Sequence, residues 1–208
     1  MASVETTPAG VGLREQKQLE TRTAIGDAAR ELFEAQGFAA TTIPQIAARA
    51  HVSPRTVSYY FPVKEELVFP DRDELLDALG SALENRLDGE SASEALSRWL
   101  TTSFTDRSDA DEERDRCRRA IVDADPGLRA FELELQSQAA SIVAASFAAD
   151  LSLPPDHHVP RMIAAATLGA LKSLSPEDGH KPDPEEAKAL VRDVMTFIDA
   201  GARGIAGE

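Results

Sequence analysis

Apolar residues recur along this chain at helical spacing, and no stretch shows the strict alternation of a half-buried strand. In residues 18–36, Ile25, Ala28, Ala29, Leu32 and Phe33 fall at i, i+3, i+4, i+7 and i+8, a single stripe that predicts one buried helix face. Gly37 follows where a helix commonly ends in a left-handed residue, with Phe38 placed to fold back on Phe33. Further helices are predicted at 92–105, 111–124, 127–151, 157–174 and 184–203, separated by Asp/Ser, Asp-Pro-Gly, Leu-Pro-Pro and Ser-Pro…Pro-Asp-Pro breaks. Between them, a helix starting at Lys64 is interrupted by Pro70 and restarted to about Leu87 by an Asp71/Glu74 capping box. The pattern predicts an all-α chain of about nine helices.

Residues 41–64 carry the most specific local signals. Thr42 and Gln45 form a capping box, Pro44 sits in the first turn where its missing N–H costs nothing, and Ile46, Ala47 and Ala50 make one apolar face. A corner at Ala50-His51-Val52-Ser53 follows. Ser53 caps a second short helix with Pro54 at its first position, and Val52 and Val57 are spaced as a hydrophobic staple. Two short helices meeting at a tight corner are a helix-turn-helix, whose second helix enters a DNA major groove. That helix presents Arg55 for guanine O6/N7, Ser58 and Tyr59 for base edges, and Thr56 and Tyr60, with Lys64 just beyond, for phosphates. Thr42 is placed to bond a phosphate, and Arg22 adds a cation.

The run Thr21-Arg22…Ile25…Ala28-Ala29…Leu32-Phe33…Gly37-Phe38…Thr41-Thr42…Ile46-Ala47…Ala50…Val52-Ser53…Thr56…Tyr60-Phe61…Lys64 resembles the DNA-binding domain of tetracycline-repressor (TetR) family regulators. The resemblance covers about the first third of the chain. It implies a three-helix DNA-binding head at 17–63 and a helical ligand-binding and dimerisation domain at 64–208, while residues 1–16, small and polar without periodicity, are expected to be a disordered tail. His51 stands where the family usually has Gly, and a left-handed residue there is less strained for His than for most side chains. Pro44 replaces a polar residue and Ser58 a frequent Tyr, changes that bear on which operator is read.

Charge fits this division. The net charge of −14 is foreign to a DNA binder until residues 1–70, with 7 Lys+Arg against 8 Asp+Glu, are separated from residues 71–208, with 15 against 28. The acidity lies outside the helix-turn-helix and leaves phosphate attraction to a few placed cations. With 42% hydrophobic and 28% charged residues in 208, no apolar run long enough to span a bilayer and no secretory signal, the expectation is a cytoplasmic globular protein with no membrane partner. The single cysteine, Cys117, shares a helix face with Ala120, Ile121 and Ala124 and reads as a small core residue, although Arg116 and Arg118 flank it as they would a reactive thiolate. Asp156-His157-His158 is read as a polar loop end, because adjacent histidines on a helix diverge too far to share one ion. No metal or cofactor is expected. No nucleophile elbow, phosphate loop or catalytic carboxylate pair is present, so an enzyme is not expected.

The middle helices carry apolar residues that line either a plain core or a small-molecule cavity, and the pattern leaves both open. The resemblance implies a ligand site, for which Trp99, Phe104, Ile121, Phe131, Leu135 and Phe147 are the candidates. In the last two helices, Ile163, Ala166, Gly169 and Ala170 combine with a wide stripe at Leu190, Val194, Phe197 and Ile198. They fit one chain's core or, as the resemblance favours, a four-helix bundle formed with an identical partner. The expectation is a homodimeric repressor that leaves a double-stranded palindromic operator when a small molecule binds. The alternatives are an activator, a regulator without ligand input, or a DNA-tethered enzyme.

Overall fold

The computed structural model describes residues 13–105, 108–154, 156–173 and 183–206. Among them are nine α-helices and one 3-10 turn, and no strand. The chain divides into two compact units, Met1–Pro70 and Asp71–Glu208.

The first unit holds α1 (Leu13–Gln36), α2 (Ile43–Arg49), α3 (Pro54–Tyr60) and a 3-10 turn at Lys64–Val68. The stripe on α1 is buried at Ile25, Ala28, Ala29 and Phe33 and half-buried at Leu32, and Ile46, Ala47, Val57 and Phe61 are buried with it in the first unit. Ile25, Phe33, Ile46, Val57 and Phe61 each contribute about 1.5–3 kcal/mol by burial, and each alanine less. Gly37 adopts φ 84° and donates its N–H to Phe33 O at 2.9 Å, and the Phe33 and Phe38 rings pack with centroids 5.2 Å apart. Residues 13–16, expected in a disordered tail, begin α1 instead; Leu13, Arg14 and Gln16 are all good helix formers. The rest of that tail lies outside the described residues.

The unit ends later than the 63/64 boundary read from sequence. The 3-10 turn packs on α1 with Leu67 and Val68 buried, and Pro70 lies 3.4 Å from where a Cβ on Gly26 would stand. The stretch after Lys64 is thus a tight turn belonging to the first unit and not the start of a long helix. The Asp71/Glu74 box does not form either. Asp71 has ψ 11°, outside the extended region a side-chain cap needs, and makes no cap hydrogen bond.

The second unit holds α4 (Arg72–Glu84), α5 (Ala92–Thr105), α6 (Asp109–Ala124), α7 (Pro126–Asp150), α8 (His158–Ser173) and α9 (Pro184–Ala206). α7 packs on α8 and α4, and α9 packs on α5 and α8, around Leu96, Leu100, Val143, Phe147, Ile163, Val191, Val194 and Ile198. Ser108 and Asp125 cap α6 and α7 by accepting from backbone amides. Cys117 is half-buried and its helix neighbours Ala120 and Ala124 are exposed, so the core expected beneath this face is not there. α6 packs mainly on α7 and places three of its four arginines in ion pairs along itself, Arg114 to Asp111, Arg116 to Glu113 and Arg118 to Asp115. Burial holds the Arg118 guanidinium below its usual range. His157 and His158 do not diverge: His157 precedes α8, accepts from Val159 N–H at 3.3 Å, and its ring stacks 4.3 Å from that of His158.

The connection from α4 to α5 is stitched to the rest of the unit. Asp150, at the end of α7, accepts from Arg86 at 2.5 Å and from the Ala92 N–H at 2.6 Å. Glu90 accepts a fork from Arg98 at 2.8 and 3.0 Å and the Leu87 N–H at 2.8 Å. The Arg98 fork, then the Leu87 amide, holds the Glu90 carboxyl down at about 2. Its folded value lies below the ordinary value of 4.5, so its stabilisation is complete above that pH and is lost as pH falls toward 2. Glu90→Gln is therefore expected to lower the melting temperature at pH 7 and to merge with the wild type in acid. Thermal melts by circular dichroism from pH 7 to 2.5 check this; parallel curves would refute it.

Candidate nucleic-acid interface

α2 and α3 are each only seven residues long, and local chemistry sets their ends. At the first, Gln45 Oε1 accepts from the Thr42 N–H at 2.8 Å and the Thr42 hydroxyl at 2.9 Å. Gln36 Nε2 donates to the same oxygen at 3.3 Å and to Thr41 Oγ1 at 3.1 Å. At the corner, His51 takes φ 55°, the left-handed conformation that its position demands. Val52 N–H reaches back to Ala47 O at 2.9 Å and closes the turn. Ser53 Oγ then caps α3 by accepting the Thr56 N–H at 3.0 Å. These bonds fix the angle at which α3 leaves the corner, while buried Val57 and Phe61 hold its inner side.

The outer side of α3 carries Arg55, Ser58 and Tyr59, all exposed; Tyr59 is 73% exposed and meets Tyr60 edge-on at 5.2 Å. The Arg55 and Ser58 side chains make no hydrogen bond or ion pair with the described residues. Thr56 is half-buried, with its hydroxyl 2.8 Å from Ser53 Oγ. Tyr60 is half-buried and supports the helix end.

Two of the cations picked out for phosphates are turned inward. Arg22 donates to Pro70 O at 2.6 Å and Tyr60 O at 3.4 Å, and lies 4.9 Å over the Phe61 ring. Lys64 Nζ donates to Phe38 O at 2.5 Å and sits 4.2 Å over the Phe38 ring. Both satisfy carbonyls at the ends of other elements, so in this conformation they tie the head together. The Thr42 hydroxyl proton is likewise spent on Gln45. Arg49, not singled out from sequence, is ion-paired with Glu31.

The ligand candidates do not converge on one cluster. Phe147 belongs to the main core of the second unit with Trp99 packed against it, whereas Phe131 lies under Arg72 at 5.4 Å. Ile121 and Leu135 are half-buried, and the Phe104 side chain lies outside the described residues. In the second unit one polar atom stands out that sequence gave no reason to choose: Ser146 Oγ on α7 is buried without a hydrogen-bond partner among the described residues.

The predicted dimer residues divide into two sets. Ile163, Val194 and Ile198 are buried in the core of the chain itself. Ala166, Gly169 and Phe197 are exposed, and Ala170 and Leu190 half-exposed. Helical pitch puts Met162, Ala166 and Gly169 on one stripe of α8 and Leu190, Phe197 and Gly201 on one stripe of α9. The apolar arc on α9 is wider than one core-facing side, and the sequence does not mark which half turns in.

No helix among the described residues is long and apolar enough to cross a membrane. Residues 25–70 match the family model of bacterial regulatory proteins, tetR family, and residues 90–203 match the MftR C-terminal domain. The chain is 34% identical over 184 residues to the HTH-type transcriptional regulator TcmR of Streptomyces glaucescens, covering 84% of this chain and 80% of that one. Among solved structures it is similar to native NalD, the secondary repressor of the MexAB-OprM multidrug efflux pump in Pseudomonas aeruginosa, with TM-score 0.59, 23% identity, and 86% and 96% of the two chains covered. It is also similar to SmeT in the SmeT–triclosan complex, with TM-score 0.55, 22% identity, and 88% and 91% covered. With a matching head, a matching C-terminal domain and a relative along most of its length, the chain belongs to the TetR family and is a DNA-binding transcriptional regulator.

Proposed function

We propose that the protein is a homodimeric repressor whose hold on a palindromic operator is released by a small molecule bound in the second unit. The observation that carries the assembly is the outward apolar surface of α8 and α9, with Met162 54% and Phe197 67% exposed beside small residues that allow close helix approach. A second copy would cover that surface with its own identical pair, giving a four-helix interface. Two heads then read two half-sites about one DNA turn apart, with Arg55, Ser58 and Tyr59 at base edges and Thr56 and Tyr60 near phosphates.

Ligand release is supported by the partner-free Ser146 hydroxyl on the helix that also carries Phe147, since a buried donor without a partner is the kind of group a bound molecule satisfies. NalD is described as a repressor, and SmeT was solved with triclosan. The ligand would act by favouring a dimer geometry in which the two recognition helices no longer match successive major grooves. The second reading, an activator, differs only in the sign of the output.

The test uses a duplex that the protein itself selects from a randomised pool. Sedimentation of the complex is expected to show two chains per duplex, and transcription in vitro from a promoter overlapping that sequence is expected to fall. One chain per duplex refutes the dimer, and raised transcription refutes the repressor.

A further inference from the structure

The amide of Gln45 is held so that its two N–H donors make no hydrogen bond with any described residue. The Thr42 backbone N–H can only donate, so the Gln45 atom 2.8 Å from it must be the carbonyl oxygen, which settles the orientation of the amide. That oxygen also takes the Thr42 hydroxyl at 2.9 Å and Gln36 Nε2 at 3.3 Å, which saturates its lone pairs. Nε2 therefore lies on the opposite side, on an exposed residue, and makes no hydrogen bond with any described residue. Three bonds at one end hold the side chain, so presenting the other end to a partner costs little further ordering.

The neighbouring groups that sequence offered for a phosphate are spent or lacking. The Thr42 N–H and hydroxyl go to Gln45, and Pro44 has no N–H. The first helix of a helix-turn-helix crosses the DNA backbone while the second reads bases. We infer that Gln45 is a positioning residue of the DNA interface, its fixed amide donating to an operator phosphate and setting the register of α3 without reading sequence. This rests on the DNA-binding role of the head and adds to it a contact that the helix-turn-helix motif does not assign.

A capping role and a donor role can be separated. Gln45→Glu keeps an acceptor for Thr42 and Gln36 and suits a helix N-terminus, so the fold is retained, but it puts a carboxylate where the donors were. Gln45→Lys does the opposite, removing the acceptor and restoring a donor. Ala40→Glu, at an exposed position in the turn before α2, controls for added charge alone. The full-length variants are titrated by fluorescence anisotropy against the duplex selected by the wild type and an unrelated duplex of equal length, with melting temperatures measured in parallel.

Gln45→Glu is expected to weaken binding to both duplexes by the same factor, about tenfold beyond Ala40→Glu, without a lower melting temperature. Gln45→Lys is expected to bind at least as tightly as the wild type, with a salt slope steeper by about 0.9. Equal losses in Gln45→Glu and Ala40→Glu would overturn the contact. Loss in Gln45→Lys matching that in Gln45→Glu would make the residue a cap only, and a changed ratio between the two duplexes would make it a base reader. If the wild type selects no duplex at all, it is the DNA-binding reading of the head that fails.

Discussion

Arg55→Ala is expected to cost about 1–3 kcal/mol of binding to the selected duplex and to relax preference at one base pair. Arg55 is exposed on α3, unpaired within the described residues, and long enough to make a bidentate contact with guanine. Its removal leaves the head's core untouched, because Val57 and Phe61 hold the other side of the helix. Anisotropy titrations against the selected duplex and all single-base variants of one half-site measure the effect. Uniform loss across every variant would make Arg55 a phosphate contact and refute its assignment as the base reader.

A second contrast separates core from interface on α9. Val194 is 5% exposed and Phe197 is 67% exposed, three residues apart on the same helix. Val194→Glu buries an unpaired carboxylate and is expected to cost more than about 4 kcal/mol, enough to unfold much of the population at 37 °C. Phe197→Glu changes the exposed surface, so stability is expected to stay within about 0.5 kcal/mol while the proposed dimer dissociates. Two linked heads gain about 10²–10⁴ in avidity over one, so operator affinity should fall by that order. Circular dichroism melts with sedimentation velocity decide the matter. A Phe197→Glu variant that sediments as a dimer would place the interface elsewhere.

What the sequence made legible was set within a few residues. Gly37 after the α1 stripe, the Thr42–Gln45 and Ser53–Thr56 caps and the left-handed His51 are short-range constraints, and the structure contains each of them. The inward turn of Arg22 and Lys64 was not legible. Each answers a backbone carbonyl that the chain brings back from 48 or 26 positions away, and nothing near either residue announces it. Asp71 failed as a cap for a similar reason, its backbone being set by the turn that ends the first unit. On α8 and α9 the period was legible and the facing was not: a broad apolar arc has two edges, and only packing decides which is covered. The ligand candidates had hydrophobicity alone to recommend them, a property shared by every core residue.

Because Arg22 and Lys64 are occupied within a head of nearly zero net charge, few counterions are set free when it meets DNA. Affinity for arbitrary sequence should then be low and only weakly dependent on salt. A chromosome is a vast reservoir of wrong sites, and a regulator with a strongly basic surface spends most of its copies on them. A head that withholds its charge in this way would escape that sink. Few molecules per cell would then keep the operator occupied, reached by repeated short encounters rather than long slides along the duplex.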